Sequence, residues 1–195
     1  MRRADVGTTS HAGDMTTHYY TASSLDGFLA TPDQSLHWLL EQDIDEHGPM
    51  NYEAFVEGIG AVAMGATTYE WVLEHAGSWP YALPVWVFTH RELATPPGAD
   101  VRFVQGDVRD AHAAMTQAAA GRDLWVVGGG ELVGQFADAG LLDEIWVQFA
   151  PVTLGAGAPL LPRALDLELV DLARNRAFAC GHYRVRGPLP PASAP

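Results

Sequence analysis

Basic side chains are scarce in this sequence. Eleven Arg or Lys stand against twenty-four Asp or Glu, a formal net charge of -13. A surface of that sign repels phosphate backbones and anionic headgroups, which argues against nucleic acid or a membrane as partner. A highly anionic substrate would need its own local group of cations. Cysteine is nearly missing too, and Cys180 alone can form neither an internal disulfide nor a thiolate metal cluster. His37 and His47 lack metal-ligand spacing and no His-Glu-x-x-His exists, so no metal site is expected. No apolar run approaches the ~20 residues that span a bilayer. The opening "MRRADVGTTSHAGD" has two arginines but no apolar segment behind them, so it is not a secretory signal. The expected location is cytoplasmic.

What is present suffices for one globular domain, with 48% hydrophobic residues over a chain of 195. Residues 1–15 read as a disordered leader, 16–187 as the folded domain and 188–195 as a Pro-rich tail. Strands and helices take turns along the domain. "THYYTAS" from Thr17 is rich in β-prone residues and reads as the first strand, followed by a long loop through Gly27 and Thr31-Pro32-Asp33. "PMNYEAFVEG" reads as a helix with Pro49 in its first turn and Gly58 as its stop. After the buried strand "AVAMG", Thr67 and Glu70 form a T-x-x-E capping box for a helix that ends at Gly77. "PVWVFT" and "VRFVQ" are strands, and Asp107 caps an alanine-rich helix. "DLWVV", the helical "ELVGQFADAG" and the strand "LLDEIWVQFAP" follow. Two tail segments, "LELVDLA" and "AFACGHYRVRG", pair as a hairpin. Apolar strands separated by helices predict an α/β fold whose mixed, mainly parallel sheet is flanked by helices and ends in a C-terminal antiparallel hairpin.

Ligands of such sheets gather where strands lead into helices. Three strand ends carry small or hydroxylated residues: "MGATTYE", "FTHREL" and "VVGGGEL". Two of them offer backbone N–H groups at a helix start, which suits a pyrophosphate. Each taken singly reads as helix capping or chain turning; three together point to a phosphate-bearing cofactor. The glycine run is not the dinucleotide fingerprint G-x-G-x-x-G, because the third position falls on Val133.

"ASSLDGFLA", "AMGATTYE", "PVWVFTHREL", "VVGGGELVGQF" and "GLLDEIWVQFAPVTLGAGAPLL", in this order from about Thr17 to Tyr183, resemble the motifs of the dihydrofolate-reductase superfamily. The branch most similar is the one related to the reductase domain of bacterial riboflavin biosynthesis. The resemblance implies a dihydrofolate-reductase-like fold, NADPH as cofactor, a small-molecule substrate and a homodimer. It places Ala22 near the nicotinamide amide and Gly65, Ala66, Thr67 and Thr68 at the adenosine-side phosphates. Thr89, His90 and Arg91 would meet the ribose 2′-phosphate. Gly128, Gly129, Gly130, Glu131 and Leu132 would wrap the pyrophosphate and nicotinamide ribose, the cofactor taking the space that a Cβ would need. The family's matching glycine pair is joined by a cis peptide, so one is expected at Gly128–Gly129. Ser24, Asp26 and Trp38 would face the substrate, under the loop from Ser24 to Ala30.

Departures accompany the likeness. Relatives carry Arg where this chain has Ala66, and an acidic residue where it has Gly128; the deaminase signature of a partner domain is missing. These departures weigh against a riboflavin precursor as substrate, and the resemblance implies an enzyme similar either to 5-amino-6-(5-phosphoribosylamino)uracil reductase of riboflavin biosynthesis or to dihydrofolate reductase. Asp26 is also the residue type that hydrogen-bonds its own turn. Glu41, Asp43, Asp45 and Glu46 could include a proton donor, though a solvated acidic face explains them more simply. No catalytic residue is assigned. The sequence reads as an NADPH-dependent reductase delivering a hydride to a small conjugated ring or imine, a pterin, folate or aminopyrimidine. A non-catalytic nucleotide-binding sensor and a flavin-binding reductase are the alternatives.

Overall fold

The computed structural model describes residues 15–190, so residues 1–14 of the expected leader and 191–195 of the tail lie outside the described residues. Ten strands are formed: β1 (Thr17–Ser24), β2 (Phe28–Ala30), β3 (Ile59–Gly65), β4 (Val85–Phe88), β5 (Val101–Val104), β6 (Asp123–Gly128), β7 (Glu144–Ala150), β8 (Ala158–Pro159), β9 (Leu165–Asn175) and β10 (Phe178–Pro188). The helices are α1 (His37–Leu40), α2 (Tyr52–Glu57), α3 (Ala66–His75), α4 (Val108–Ala118) and α5 (Gly130–Asp138). The main sheet runs β5-β4-β3-β6-β1-β7-β10-β9, with β2 and β8 as a separate pair. The pairings from β5 to β7 are parallel, while β10 is antiparallel to both β7 and β9. This is the mixed, mainly parallel architecture that the sequence predicts.

Successive strand residues point to opposite faces, and both faces are buried. Tyr19, Ala61, Ala63, Trp86 and Val126 pack beneath α4 and α5 with Met115, Val133 and Phe136. Tyr20, Val62, Met64, Val85, Val87 and Trp125 pack on the other side with Tyr69 and, from α2, Phe55. The stack of Phe55 on Tyr20, with ring centroids 4.3 Å apart, fixes α2 against that face.

Helix starts differ from the sequence reading in two places. Pro49 is expected in the first turn of α2 but lies before the helix, whose N-cap is Asn51, accepting from the Ala54 N–H. The capping box at Thr67 does not form: Gly65 is the N-cap of α3 and no side chain caps it. Because Gly65 already has extended backbone, the helix begins at Ala66 and Thr67 falls inside the first turn. Asp107 does cap α4, accepting from the Arg109 N–H. The C-terminal strand of the hairpin extends to Pro188, one residue into the expected tail.

A crevice at the strand ends

The connections diverge between β3 and β6. β3 leads through α3 to β4 on one side, and β6 leads through α5 to β7 on the other. A crevice opens at such a switch point, outside the carboxyl ends of the strands. Met64 pairs with Gly128 and Gly65 with Phe88, so the predicted segments 65–68, 89–91 and 128–132 form one contiguous rim. A Cβ built on Gly65 would stand 3.7 Å from the Gly128 carbonyl oxygen, so the starts of α3 and α5 lie side by side. Neither helix has a side-chain cap, whereas α2 and α4 do. Two bare helix N-termini converging on one crevice give a concentration of N–H donors and positive dipole ends suited to a pyrophosphate.

The three consecutive glycines prove to have three different reasons. Gly128 has φ +135°, open to glycine but not to residues with a Cβ. Gly130 is pressed against the end of β8, and an added Cβ would overlap the carbonyl oxygens of Pro159 and Leu160. The expectation that a cofactor explains all three is therefore corrected: the protein's own backbone accounts for these two. Gly129 alone has ordinary backbone and nothing within 4 Å of where its Cβ would be, so its bare face is free for a ligand. The Gly128–Gly129 peptide is cis, as the resemblance implies. With the twin N-termini, this open face fits a dinucleotide pyrophosphate.

Around the rim, Thr89 is buried and its hydroxyl accepts from the Arg91 N–H at 2.9 Å. His90 lies 3.3 Å from the Gln105 side chain. Arg91 is engaged: both its terminal nitrogens donate to Glu70 of α3, at 2.9 and 2.8 Å. A 2′-phosphate would have to displace that carboxylate. Glu131 turns from the crevice to Arg163, which donates to it at 2.7 Å and holds its carboxyl below its ordinary range. Leu132 is buried in the core.

At the end of β1, Ala22 pairs with Gln148 across β1 and β7. Beside them lies a cavity of about 370 Å³, lined by Tyr20, Thr21, Asp45, Glu46, Tyr52 and Glu53 among others. Ser24 and Asp26 are not aimed at it. The Ser24 hydroxyl donates to Asp26 at 2.6 Å and accepts from the Phe28 N–H, closing the turn. Asp26 also accepts from the N–H groups of Leu154 and Gly155, and these bonds, the Ser24 hydroxyl first, lower its carboxyl below the ordinary value. Its role is to clamp two loops together, an ionised acceptor rather than an acid. Trp38 packs in a satellite cluster with Phe178 and Cys180, away from the cavity lining. Of the four weighed acids, Asp45 and Glu46 reach the cavity, while Asp43 is bound to Arg176 at 2.8 Å and Glu41 lies beside His37.

Gln148 is one of the cavity residues that the sequence alone does not single out. Its signal was a lone amide in the apolar strand "EIWVQFA", where a buried polar group calls for a partner or a use.

Residues 17–182 match the family model described as the RibD C-terminal domain. The uncharacterised protein YwjB of Bacillus subtilis (strain 168) is 33% identical over 163 residues, 82% of this chain and 90% of the relative. Among solved structures, a Shewanella sp. PV-4 protein assigned provisionally to riboflavin biosynthesis superposes with TM-score 0.76 at 26% identity, over 88% of this chain and 99% of that one. A Thermotoga maritima diaminohydroxyphosphoribosylaminopyrimidine deaminase/5-amino-6-(5-phosphoribosylamino)uracil reductase shares the fold, with TM-score 0.59 at 17% identity. There the match covers 88% of this chain but 56% of the larger protein.

Proposed function

The chain belongs to the RibD C-terminal domain family, and from that membership we propose that it is a reductase using a nicotinamide dinucleotide, NADPH by preference, to reduce a small conjugated ring or imine. The observation that carries this reading is the pair of uncapped helix starts meeting at the β3–β6 crevice, with the open face of Gly129 between them. The bound nicotinamide supplies a hydride; the protein's task is to position it and exclude water.

This chain's residues divide that task. Backbone N–H groups of Ala66, Thr67, Gly130 and Glu131 would hold the phosphates, since the first turn of each helix leaves its donors free. Thr89 and Arg91 serve the adenosine end. Ala22, with no side chain beyond a methyl, lets a flat ring lie against the end of β1 beside Gln148. The loop Ser24–Ala30, pinned by Asp26 to Leu154 and Gly155, roofs the ring without needing to order itself on binding. Tyr20 is unsuited to proton transfer, because burial raises its phenol and its hydroxyl is already committed to the Met50 carbonyl oxygen.

The test is NADPH oxidation followed at 340 nm against pterins, dihydrofolate and aminopyrimidines, alongside calorimetric titration of NADPH. Tight NADPH binding with turnover of one compound class is the expected result. Binding without turnover of any class supports the nucleotide-binding sensor instead, and a yellow protein the flavin alternative.

A further inference from the structure

The cavity beside Ala22 says more about the substrate than the fold does. Gln148 is 6% exposed and lines that cavity. Its Nε2 donates to the Tyr20 hydroxyl at 2.6 Å and to the Met50 carbonyl oxygen at 2.9 Å. A carbonyl can only accept, so the amide cannot be turned the other way round. Tyr20 gives its own proton to the same carbonyl at 3.0 Å and therefore receives from Gln148. The orientation of the amide is thus fixed, with both N–H bonds consumed. No hydrogen bond reaches its Oε1 among the described residues, and that oxygen is not sealed off from solvent. A nearly buried amide oxygen, rigidly held and without a donor, is an acceptor waiting for an N–H or O–H.

The charges around the cavity all point one way. Asp45, Glu46 and Glu53 line it, and no arginine or histidine does. The nearby basic side chains already have partners: Arg176 lies 2.8 Å from Asp43 and 3.9 Å from Asp45, and His47 3.1 Å from Glu53. The chain contains no lysine, so a permanently cationic side chain to anchor a phosphate here would have to be arginine. Apart from Arg122 and Arg174, every described arginine sits in an ion pair. A phosphate dianion brought here would face carboxylates without a compensating charge.

We infer that Gln148 reads the substrate, and that this substrate is a donor-rich, neutral or protonated nitrogen heterocycle that carries no phosphate. The inference rests on the cavity being the substrate side of the proposed reductase. Gln148 is then a specificity-determining residue: its Oε1 accepts from a ring amine, while Asp45, Glu46 and Glu53 turn away phosphorylated analogues.

Calorimetric titration of the full chain, with and without NADPH, tests both halves. The probes are 2,4-diaminopyrimidine against 2,4-dimethylpyrimidine, and 2,6-diaminopurine riboside against its 5′-monophosphate. The diamine should bind at least tenfold tighter than its dimethyl counterpart, and Gln148→Met should erase that preference while NADPH binding stays unchanged. The riboside should bind at least tenfold tighter than the monophosphate, and Glu46→Gln with Glu53→Gln, on exposed side chains, should narrow the gap. That second variant decides the question even if Gln148→Met fails to fold. A monophosphate bound as well as the riboside, a diamine no better than the dimethyl compound, or a preference surviving in folded Gln148→Met overturns the inference. If NADPH binds normally in any of those cases, the reductase reading stands and only the substrate class is wrong. If the wild-type chain binds no NADPH, the reductase reading falls, and this inference with it.

Discussion

At Gly129 and Gly130, adjacent residues of the same type are held for different reasons, and substitution should separate them. A Cβ at Gly129 has no protein atom within 4 Å, so Gly129→Asp should leave the far-UV dichroism and the melting temperature nearly unchanged. It does put a carboxylate between the two helix starts, and NADPH affinity should fall at least a hundredfold by calorimetry, since a like charge replaces an open face. Wild-type affinity in that variant would refute the site. Gly130→Ala should do the reverse. Its methyl overlaps two carbonyl oxygens, and overpacking of this kind costs about 1–3 kcal/mol, visible as a lowered denaturation midpoint. Glu70 gives a third residue-scale contrast. Its pair with Arg91 is exposed, at 44% and 54%, and so weakly held. Glu70→Gln should release the guanidinium for a 2′-phosphate and raise the NADPH-over-NADH preference roughly tenfold, on the scale of one hydrogen bond to a charged group. An unchanged ratio of the two dissociation constants would mean that Arg91 does not face the cofactor.

Among the elements, the loop that follows β1 is held by one carboxylate. Asp26 joins Ser24 to Leu154 and Gly155, and its carboxyl lies below the ordinary value of 3.8, chiefly through the Ser24 hydroxyl. A lowered folded-state value means that the unfolded chain takes up the proton first. The stabilisation is therefore complete above the unfolded value, near 3.8, and is lost as pH falls from there through the lower folded value. Melting temperatures followed from neutrality to below pH 4 should drop more steeply for the wild-type protein than for Asp26→Asn, which makes no ionised clamp. Parallel curves would show that the clamp carries no such weight. The helices divide by their caps. Asp107→Ala should cost about 1 kcal/mol because α4 relies on that side chain, while no equivalent exists to remove from α3 or α5.

For the whole molecule, the main sheet has edges at β5 and β9, and β9 is the longer. It is eleven residues long, its outer side is unpaired within the main sheet, and it shows Leu169 at 55% and Leu172 at 64% exposure. A long apolar edge of this kind is a pairing template unless another chain covers it. We propose that a second copy does so in an isologous contact. Light scattering at micromolar concentration should report twice the chain mass of 21.0 kDa, and Leu172→Lys should halve it. A wild-type particle of single-chain mass would count against the dimer.

What the sequence determined by itself was whatever is written locally. Apolar strand runs, the Asp107 cap and the C-terminal hairpin follow from residues within a few positions of one another, and so the layered α/β fold was legible, with β3, β4 and β6 side by side in it. The capping box at Thr67 looked equally local, yet Gly65 took the cap because the chain leaves β3 already extended there. Only the tertiary structure could decide contacts across great chain distances. Asp26 meets a loop 129 positions away and Gln148 meets Tyr20 across 128, so the first became a clamp and the second an acceptor facing a cavity. That the fold itself requires Gly130 was settled likewise, by the backbone of Pro159 and Leu160 arriving beside it. A residue's type fixes what bonds it can make; its neighbours in space, fixed by the packing of the whole sheet, decide which of those bonds remain to be made with a ligand.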